Sequence, residues 1–416
     1  MAHATGDDCV METGMRRVAL ASYVGSAIEY YDFLIYGTAA ALVFPPHVFF
    51  PGLSPLMATI ASLGTFAAAF LSRPVGAAVF GHFGDRIGRK NTLVFTLVIM
   101  GASSVGVGLI PPSTAVIGAA APPLLLISMR LLQGFAVGGE WAGAALMSAE
   151  QAPQRKRGFY CMFTQLGLGT ALVLGNLVFL GGVHGAFGDA ETAFLQWGGW
   201  RIPFLISAVL VAVALYIRLH VEESPVFAES AAEGHSGGVP LAEAMRHQGR
   251  EVVLAAGAVM GLFMLAFQVG TYFPNYAATH LHYDEDLILL VGVAGGVCSL
   301  AFVAASAILS DTYGRRRILA FGAALALPWT LILFPLIQSG DPPVRYGIAI
   351  IGTYGIIGIM MGPPLAAFIP EIFAVRYRYS GAGLSYNVGG IMGGALPPSA
   401  VPPCCCRRTA AGRSPR

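Results

Sequence analysis

Gly81-His-Phe-Gly-Asp-Arg-Ile-Gly-Arg-Lys90 sets three glycines, one aspartate and three cations within ten residues, between two long apolar runs. A reduced copy recurs downstream as Ala307-Ile-Leu-Ser-Asp-Thr-Tyr-Gly-Arg-Arg316, with the acid, the glycine and the basic pair in the same relative places. A short charged loop that appears twice, each time between apolar spans, predicts a membrane protein built from two related halves.

Composition agrees. The chain has 416 residues, 56% hydrophobic and 11% charged, against about 25% charged in a soluble domain. Many apolar runs reach the roughly 20 residues that cross a bilayer. A formal net charge of +2 offers nothing to a nucleic acid. Cys9, Cys161 and Cys298 are far apart, and Cys404, Cys405 and Cys406 are adjacent, so neither a disulfide framework nor a zinc site is expected. The first fifteen residues lack the pattern of a cleaved signal peptide, and the first span is expected to stay in the membrane.

Eleven spans are predicted, at 18–44, 55–80, 92–111, 122–148, 159–182, 201–219, 251–278, 286–309, 317–337, 346–369 and 381–397. The connections 45–54, 112–121, 183–200 and 279–285 contain no Lys or Arg. The cations collect on the other side: Arg16 and Arg17; Arg86, Arg89 and Lys90; Arg155, Lys156 and Arg157; Arg315, Arg316 and Arg317; Arg376 and Arg378. By the positive-inside rule those loops and the N-terminus are cytoplasmic in a plasma (inner) membrane. The expected organisation is a cytoplasmic N-terminus at 1–17, a six-helix bundle at 18–219, a cytoplasmic linker at 220–250, a second bundle of five spans at 251–397 and an aberrant tail at 398–416. That tail, rich in Pro, Cys and Arg, breaks both the charge rule and the apolar pattern. It predicts a disrupted reading frame and a lost twelfth span.

Ionisable groups at mid-bilayer cost on the order of 3 kcal/mol and so mark function or pairing. Glu29 and Asp32 stand three residues apart on one helix face, with Tyr36 a turn further. Glu29 lies about 16 Å from the inner end of its span, near mid-membrane. Two desolvated acids on one face repel when both are ionised, which suits a proton carrier. Arg130 and Glu140 lie in the fourth span. Arg130 is always charged and needs an anion: Glu29, Asp32 or a substrate carboxylate. Gln133 shares its face. Glu140 lies about 80° away and reads as part of a charge network rather than a proton site. Gly134/Gly138 and Gly139/Gly143 are small-xxx-small pairs suited to close helix packing. Arg73, in the inner half of the second span, either reaches towards the cytoplasm or contacts substrate. Glu371 is expected in a salt-bridge network with Arg376 and Arg378 at the inner end of the tenth span. In the second half, Gln268, Tyr272 and Asn275 follow i, i+4, i+7 on a span interrupted at Pro274, with Tyr354, Tyr386 and Asn387 as further candidates.

Gly-x-x-x-Asp-Arg-x-Gly-Arg-Lys at 81–90 resembles the loop between spans two and three of the major facilitator superfamily. More narrowly, Glu29-Tyr-Tyr-Asp-Phe33, Arg73-Pro-Val-Gly76, Gly138-Gly-Glu-Trp141, Trp200-Arg-Ile-Pro-Phe204, Glu222-Glu-Ser-Pro225 and Tyr379-Ser-Gly381 resemble the metabolite:H⁺ symporters, which include carriers of α-ketoglutarate, citrate, shikimate, and proline or betaine. The resemblance implies an all-α polytopic membrane protein with the major facilitator fold, two six-helix bundles less the twelfth helix, and alternating access at a central site. By similarity to proton-coupled sugar carriers it makes Asp32 and Arg130 the coupling pair, with Glu29 as rival. Arg130, Arg73, Tyr36, Gln133, Gln268, Tyr272 and Asn275 are then the substrate candidates. It makes Gly81, Asp85, Arg86, Gly88, Arg89 and Lys90, with Asp311, Gly314, Arg315 and Arg316, a cytoplasmic latch.

The resulting expectation is a monomeric, proton-coupled symporter of a small organic anion. It needs no cofactor beyond the proton gradient, and its partners are substrate, H⁺ and the bilayer. A zwitterion such as proline or betaine is the alternative substrate, and a non-functional truncated carrier the alternative fate. An enzyme is not expected: the sequence offers no paired nucleophile and base, no metal-ligand cluster and no P-loop.

Overall fold

The computed structural model describes residues 6–42, 44, 48–50, 53–111, 120–180, 198–220, 240–338, 342–361, 363–374 and 378–395. All regular structure among them is helical. In chain order the helices are α1 (Gly6–Leu42), α2 (Pro55–Ile87), α3 (Arg89–Leu109), α4 (Ala121–Gln151), α5 (Arg157–Leu177), α6 (Arg201–Leu219), α7 (Pro240–Phe267), α8 (Phe273–Thr279), α9 (Glu285–Tyr313), α10 (Arg315–Gln338), α11 (Pro342–Met361), α12 (Pro363–Ile372) and α13 (Arg378–Gly390). The proposed loss of a twelfth span falls on 396–416, outside the described residues.

Nine of the eleven expected spans, the second to the tenth, are long and apolar enough to cross a membrane among the described residues. The first and the eleventh are more polar, and both are largely buried among the described residues. α1 packs against α5, α6, α4 and α2, and α13 against α7, α2 and α4. Their acids, tyrosines and hydroxyls therefore face protein. Lipid-facing apolar side chains fall instead on helices such as α6 and α10, where Val209, Tyr216, Leu327 and Leu331 are exposed.

The repeated motif is helical for most of its length, which corrects its reading as a loop. Gly81–Ile87 complete α2, and residues 307–313 complete α9. Only Gly88 and Gly314 leave the helix, with φ of 100° and 91°, backbone that favours glycine because a Cβ would clash there. The same one-residue joint thus links α2 to α3 and α9 to α10. Gly81 and Gly84 serve packing: a Cβ on either would sit 3.1 Å from Ser380 Oγ or from the Tyr379 ring.

Three boundaries differ from the sequence reading, each through proline or an inserted kink. In the seventh span the break lies before Pro274, in a π-helical turn at Gln268–Tyr272. Proline lacks an N–H and its ring crowds the carbonyl four residues back, so the preceding turn widens. The tenth span is two helices, α11 and α12, the second starting at Pro363-Pro364. The end of the expected linker is helical from Pro240 and forms the first part of α7, set off from the rest by a kink at Gln248 (φ −133°).

Close approach of α2 and α4 rests on their glycines. A Cβ at Gly134 would meet the Ala69 carbonyl, one at Gly138 the Arg73 carbonyl, and one at Gly76 the Phe135 carbonyl. These small-xxx-small contacts let backbones touch where lipid supplies no hydrophobic drive between helices. α5 and α9 meet the same way, Gly169 against Gly296.

Candidate functional site

The middle of α1, α2, α5, α7 and α13, with the π turn and Tyr354 of α11, encloses a cavity of about 40 Å³, room for roughly two or three waters. Glu29 and Arg73 supply its charge. Tyr30, Phe33, Phe66, Phe263, Phe267, Tyr354 and Tyr386 supply most of its wall. The Arg73 guanidinium lies 4.3 Å from the Phe70 ring centre and 5.1 Å from that of Phe33. Its Nε is buried without a hydrogen-bond partner among the described residues. Arg73 therefore faces the cavity and does not reach for the basic-loop end.

Asp32 sits in a different environment. It accepts hydrogen bonds from Ser104 Oγ at 2.6 Å and from Ser207 Oγ. Ser104 in turn accepts from Gln133 Nε2 at 2.6 Å, and Gln133 Oε1 accepts from Arg130. The Arg130 guanidinium lies 3.7 Å from the Tyr36 ring centre, and the Tyr36 hydroxyl bonds Thr65. Asp32, Arg130, Gln133 and Tyr36 are thus brought together, but as a relay through Ser104. No direct Asp32–Arg130 pair occurs among the described residues. Arg130 Nε and Nη2 are buried without hydrogen-bond partners among the described residues.

Gln268, Tyr272 and Asn275 are not among the residues lining this cavity; the π turn presents Gly270 and Thr271 instead. Tyr272 packs with Phe273, Tyr276 and Phe334. Of the second-half candidates, Tyr386 and Tyr354 line the cavity. Tyr386 stacks on Trp141 at 3.8 Å and 4° and bonds the Tyr30 hydroxyl at 3.0 Å. Asn387 donates to the Gly138 carbonyl at 3.0 Å and Tyr379 to that of Gly139 at 2.5 Å. These contacts close the cavity towards the basic-loop end.

At that end Asp311 accepts from the backbone N–H groups of Gly158 and Phe159, at 2.8 and 2.9 Å, where α5 begins. A carboxylate there meets the unpaired donors and positive end of the helix dipole. Glu371 pairs with Arg157 at 3.0 Å and with Arg315. Of the two partners expected for Glu371, Arg376 lies outside the described residues, and Arg378 lies 3.7 Å from Glu150 while staying within electrostatic reach of Glu371. Arg316 lies over the Phe368 ring at 5.8 Å. Lys90 donates to the Leu219 carbonyl at 2.9 Å. The side chains of Asp85, Arg86 and Arg89 lie outside the described residues.

Sequence reading missed Ser104 and Ser207, ordinary hydroxyls in apolar spans, and Arg218, which reads as a helix-end charge. Arg218 is buried and pairs with Glu140 at 2.6 Å. Gly25 leaves the room for its guanidinium.

A set of membrane-length helices around a small charged and aromatic cavity, with interhelical ion pairs at one end, defines a multi-pass solute carrier. The chain belongs to the Major Facilitator Superfamily, whose family profile matches residues 22–397. It is similar to the inner membrane metabolite transport protein YhjE of Escherichia coli (strain K12), 41% identical over 391 residues, 92% of this chain and 86% of the relative. It is also similar to the shikimate transporter of that organism, 38% identical over 92% of this chain and 86% of the relative. The proline/betaine transporter of Salmonella typhimurium (strain LT2) is 34% identical over 94% of this chain and 78% of the relative. Among solved structures, the proton:xylose symporter XylE bound to 6-bromo-6-deoxy-D-glucose matches with a TM-score of 0.75 and 21% identity, over 92% of this chain and 87% of that chain; this is a likeness of fold. The protein is a membrane transporter and not an enzyme.

Proposed function

We propose that the chain is a proton-coupled symporter of a small organic anion in the inner membrane, with its N-terminus cytoplasmic and a single chain as the working unit. The two bundles, 18–219 and 251–397, would rock about the central cavity, with 220–250 connecting them. The observation that carries this reading is Arg73 beside Glu29 in one small, largely aromatic cavity, its Nε without a hydrogen-bond partner among the described residues. Arg73 is the natural partner for a substrate carboxylate. With Glu29 ionised, that carboxylate meets a like charge. At 4 Å and an effective dielectric of 20 the repulsion is about 4 kcal/mol, about a thousand-fold in affinity. A proton on Glu29 removes it, so proton and anion bind together. Asp32, tied to Arg130 through Ser104 and Gln133, would report protonation to the α1–α4 contact. Burial of Glu29 and Asp32, and relatives named for metabolite and shikimate transport, support the assignment.

A second reading is a zwitterion such as proline or betaine. The rings of Phe33, Phe66, Phe263 and Phe267 around the cavity could hold an ammonium group while Arg73 holds the carboxylate. Uptake into proteoliposomes under an imposed pH gradient, against mono-, di- and tricarboxylates, shikimate, proline and betaine, separates the two. Accumulation of an acid supports the first reading and accumulation of proline or betaine the second. No gradient-driven accumulation of any compound defeats both.

A further inference from the structure

Glu140 and Arg218 form a buried ion pair that the cavity chemistry above does not use. Glu140 Oε1 accepts from Arg218 Nη2 at 2.6 Å, and Arg218 Nη1 donates to the Leu93 carbonyl at 2.8 Å. Glu140 Oε2 is equally buried and has no hydrogen-bond partner among the described residues. A carboxylate that serves only to neutralise an arginine gains from engaging both oxygens. Here one oxygen is held and the other is left open to a proton.

The pair also occupies a particular place. Arg218 lies against Gly25, one helical turn before Glu29 on the same face of α1. Glu29 lines the central cavity and is within electrostatic reach of Glu140, Arg218 and Arg73. On its other side Arg218 lines a second small cavity, with Ser22, Lys90, Leu93 and Met147. Lys90 belongs to the basic-loop end. Through Arg218 the ion pair therefore links the Glu29 face of α1 to a crevice at that end.

We propose that Glu140 is a second proton-transfer site, receiving the proton from Glu29 and releasing it to the crevice beside Arg218. This rests on the proton-coupled reading above. In the transfer the O–H bond of Glu29 breaks and an O–H bond forms at Glu140 Oε2, directly or through a water. Glu29 becomes a carboxylate and Glu140 neutral, and Arg218 keeps its charge while losing its counter-ion. The proton then passes to water in the crevice, Glu140 is again a carboxylate and the pair re-forms. The groups that set the balance are Glu29, Tyr30 and Asp32 of α1, Arg73 of α2, Lys90 of α3, Arg218 of α6, and Tyr386 of α13 through its stack on Trp141.

The test uses the full chain in lipid and needs no substrate. Infrared spectra are recorded between acidic and alkaline pH, reading the carbonyl stretch of protonated carboxyls. Wild-type is expected to show buried titrating components from Glu29 and Glu140 beside that of Asp32, which Asp32→Asn identifies and removes. Of the two glutamate components, Glu140→Gln removes one and Glu29→Gln the other, and each substitution moves the midpoint of the remaining one by about one pH unit. The double variant Glu140→Gln/Arg218→Gln leaves no unpaired charge, and carries the comparison if Glu140→Gln does not fold. A Glu140→Gln spectrum identical to wild-type means that Glu140 stays a fixed ion-pair partner and overturns the proposal. Two glutamate components with independent midpoints overturn the transfer between them. Loss of pH-driven uptake with both glutamate components intact instead overturns the symport reading.

Discussion

Ser104 tests whether Asp32 is wired to Arg130 through a relay. Its hydroxyl donates to Asp32 Oδ2 and accepts from Gln133 Nε2, both at 2.6 Å, and all three residues are buried. Ser104→Ala removes a hydrogen bond to a charged group, worth about 1.5–3 kcal/mol. It also strands a buried amide donor on Gln133, at about 1–3 kcal/mol. The expected destabilisation is about 2.5–6 kcal/mol, large for the loss of one oxygen. Gln133→Leu removes the other side of the same bond. Because the two residues share it, the double variant should be less destabilised than the sum of the singles by about 1–3 kcal/mol. The assay is equilibrium unfolding by SDS titration in mixed micelles, with the four proteins of the cycle measured side by side. A Ser104→Ala cost below about 0.5 kcal/mol, or additivity within about 0.5 kcal/mol, would refute the relay.

Gly314→Ala should destabilise by about 1–3 kcal/mol through backbone strain alone, since φ is 91° and nothing lies within 4 Å of the added Cβ; the same unfolding titration reads it, and a neutral result would mean that the joint relaxes freely. Glu371→Gln breaks the pairs to Arg157 and Arg315 with a stability cost of only about 0–1 kcal/mol, because the site is partly solvated. It should nonetheless speed alkylation of buried Cys161, followed peptide by peptide in a mass spectrometer; an unchanged rate argues that Glu371 does not hold the latch. Gly134→Ala drives a Cβ into the Ala69 carbonyl and should cost about 1–3 kcal/mol, seen as a lower SDS midpoint, whereas an unshifted midpoint would mean α2 and α4 can separate without loss.

Asp32 and Arg130 were legible because a charge in an apolar span is costly wherever the helix goes, and an excess arginine must find an anion. Their connection was not. Ser104 and Ser207 come from the third and sixth spans, and only helix packing brings two ordinary hydroxyls onto one carboxylate. Arg73 was undecided between solvent and substrate, since a long side chain can turn either way from one backbone position. Its stack on Phe70 and Phe33 decides for the cavity. The face Gln268, Tyr272 and Asn275 presumed α-helical spacing with the interruption at Pro274 itself. The π turn before Pro274 presents Gly270 and Thr271 to the cavity, because proline displaces the hydrogen bonding of the turn ahead of it.

The motif at 81–90 divides the same way. Sequence alone determined the helical, membrane-embedded class, the doubled architecture and the side on which cations collect, because hydropathy and charge act locally and independently of neighbours. Tertiary structure decided that Gly81 and Gly84 belong to a helix and yield space to α13, and that Asp311 caps α5. It also decided that Glu371 holds Arg157 and Arg315, and that Arg218 lies buried on Glu140. Those are pairings between distant segments, and their partners are chosen by how helices pack.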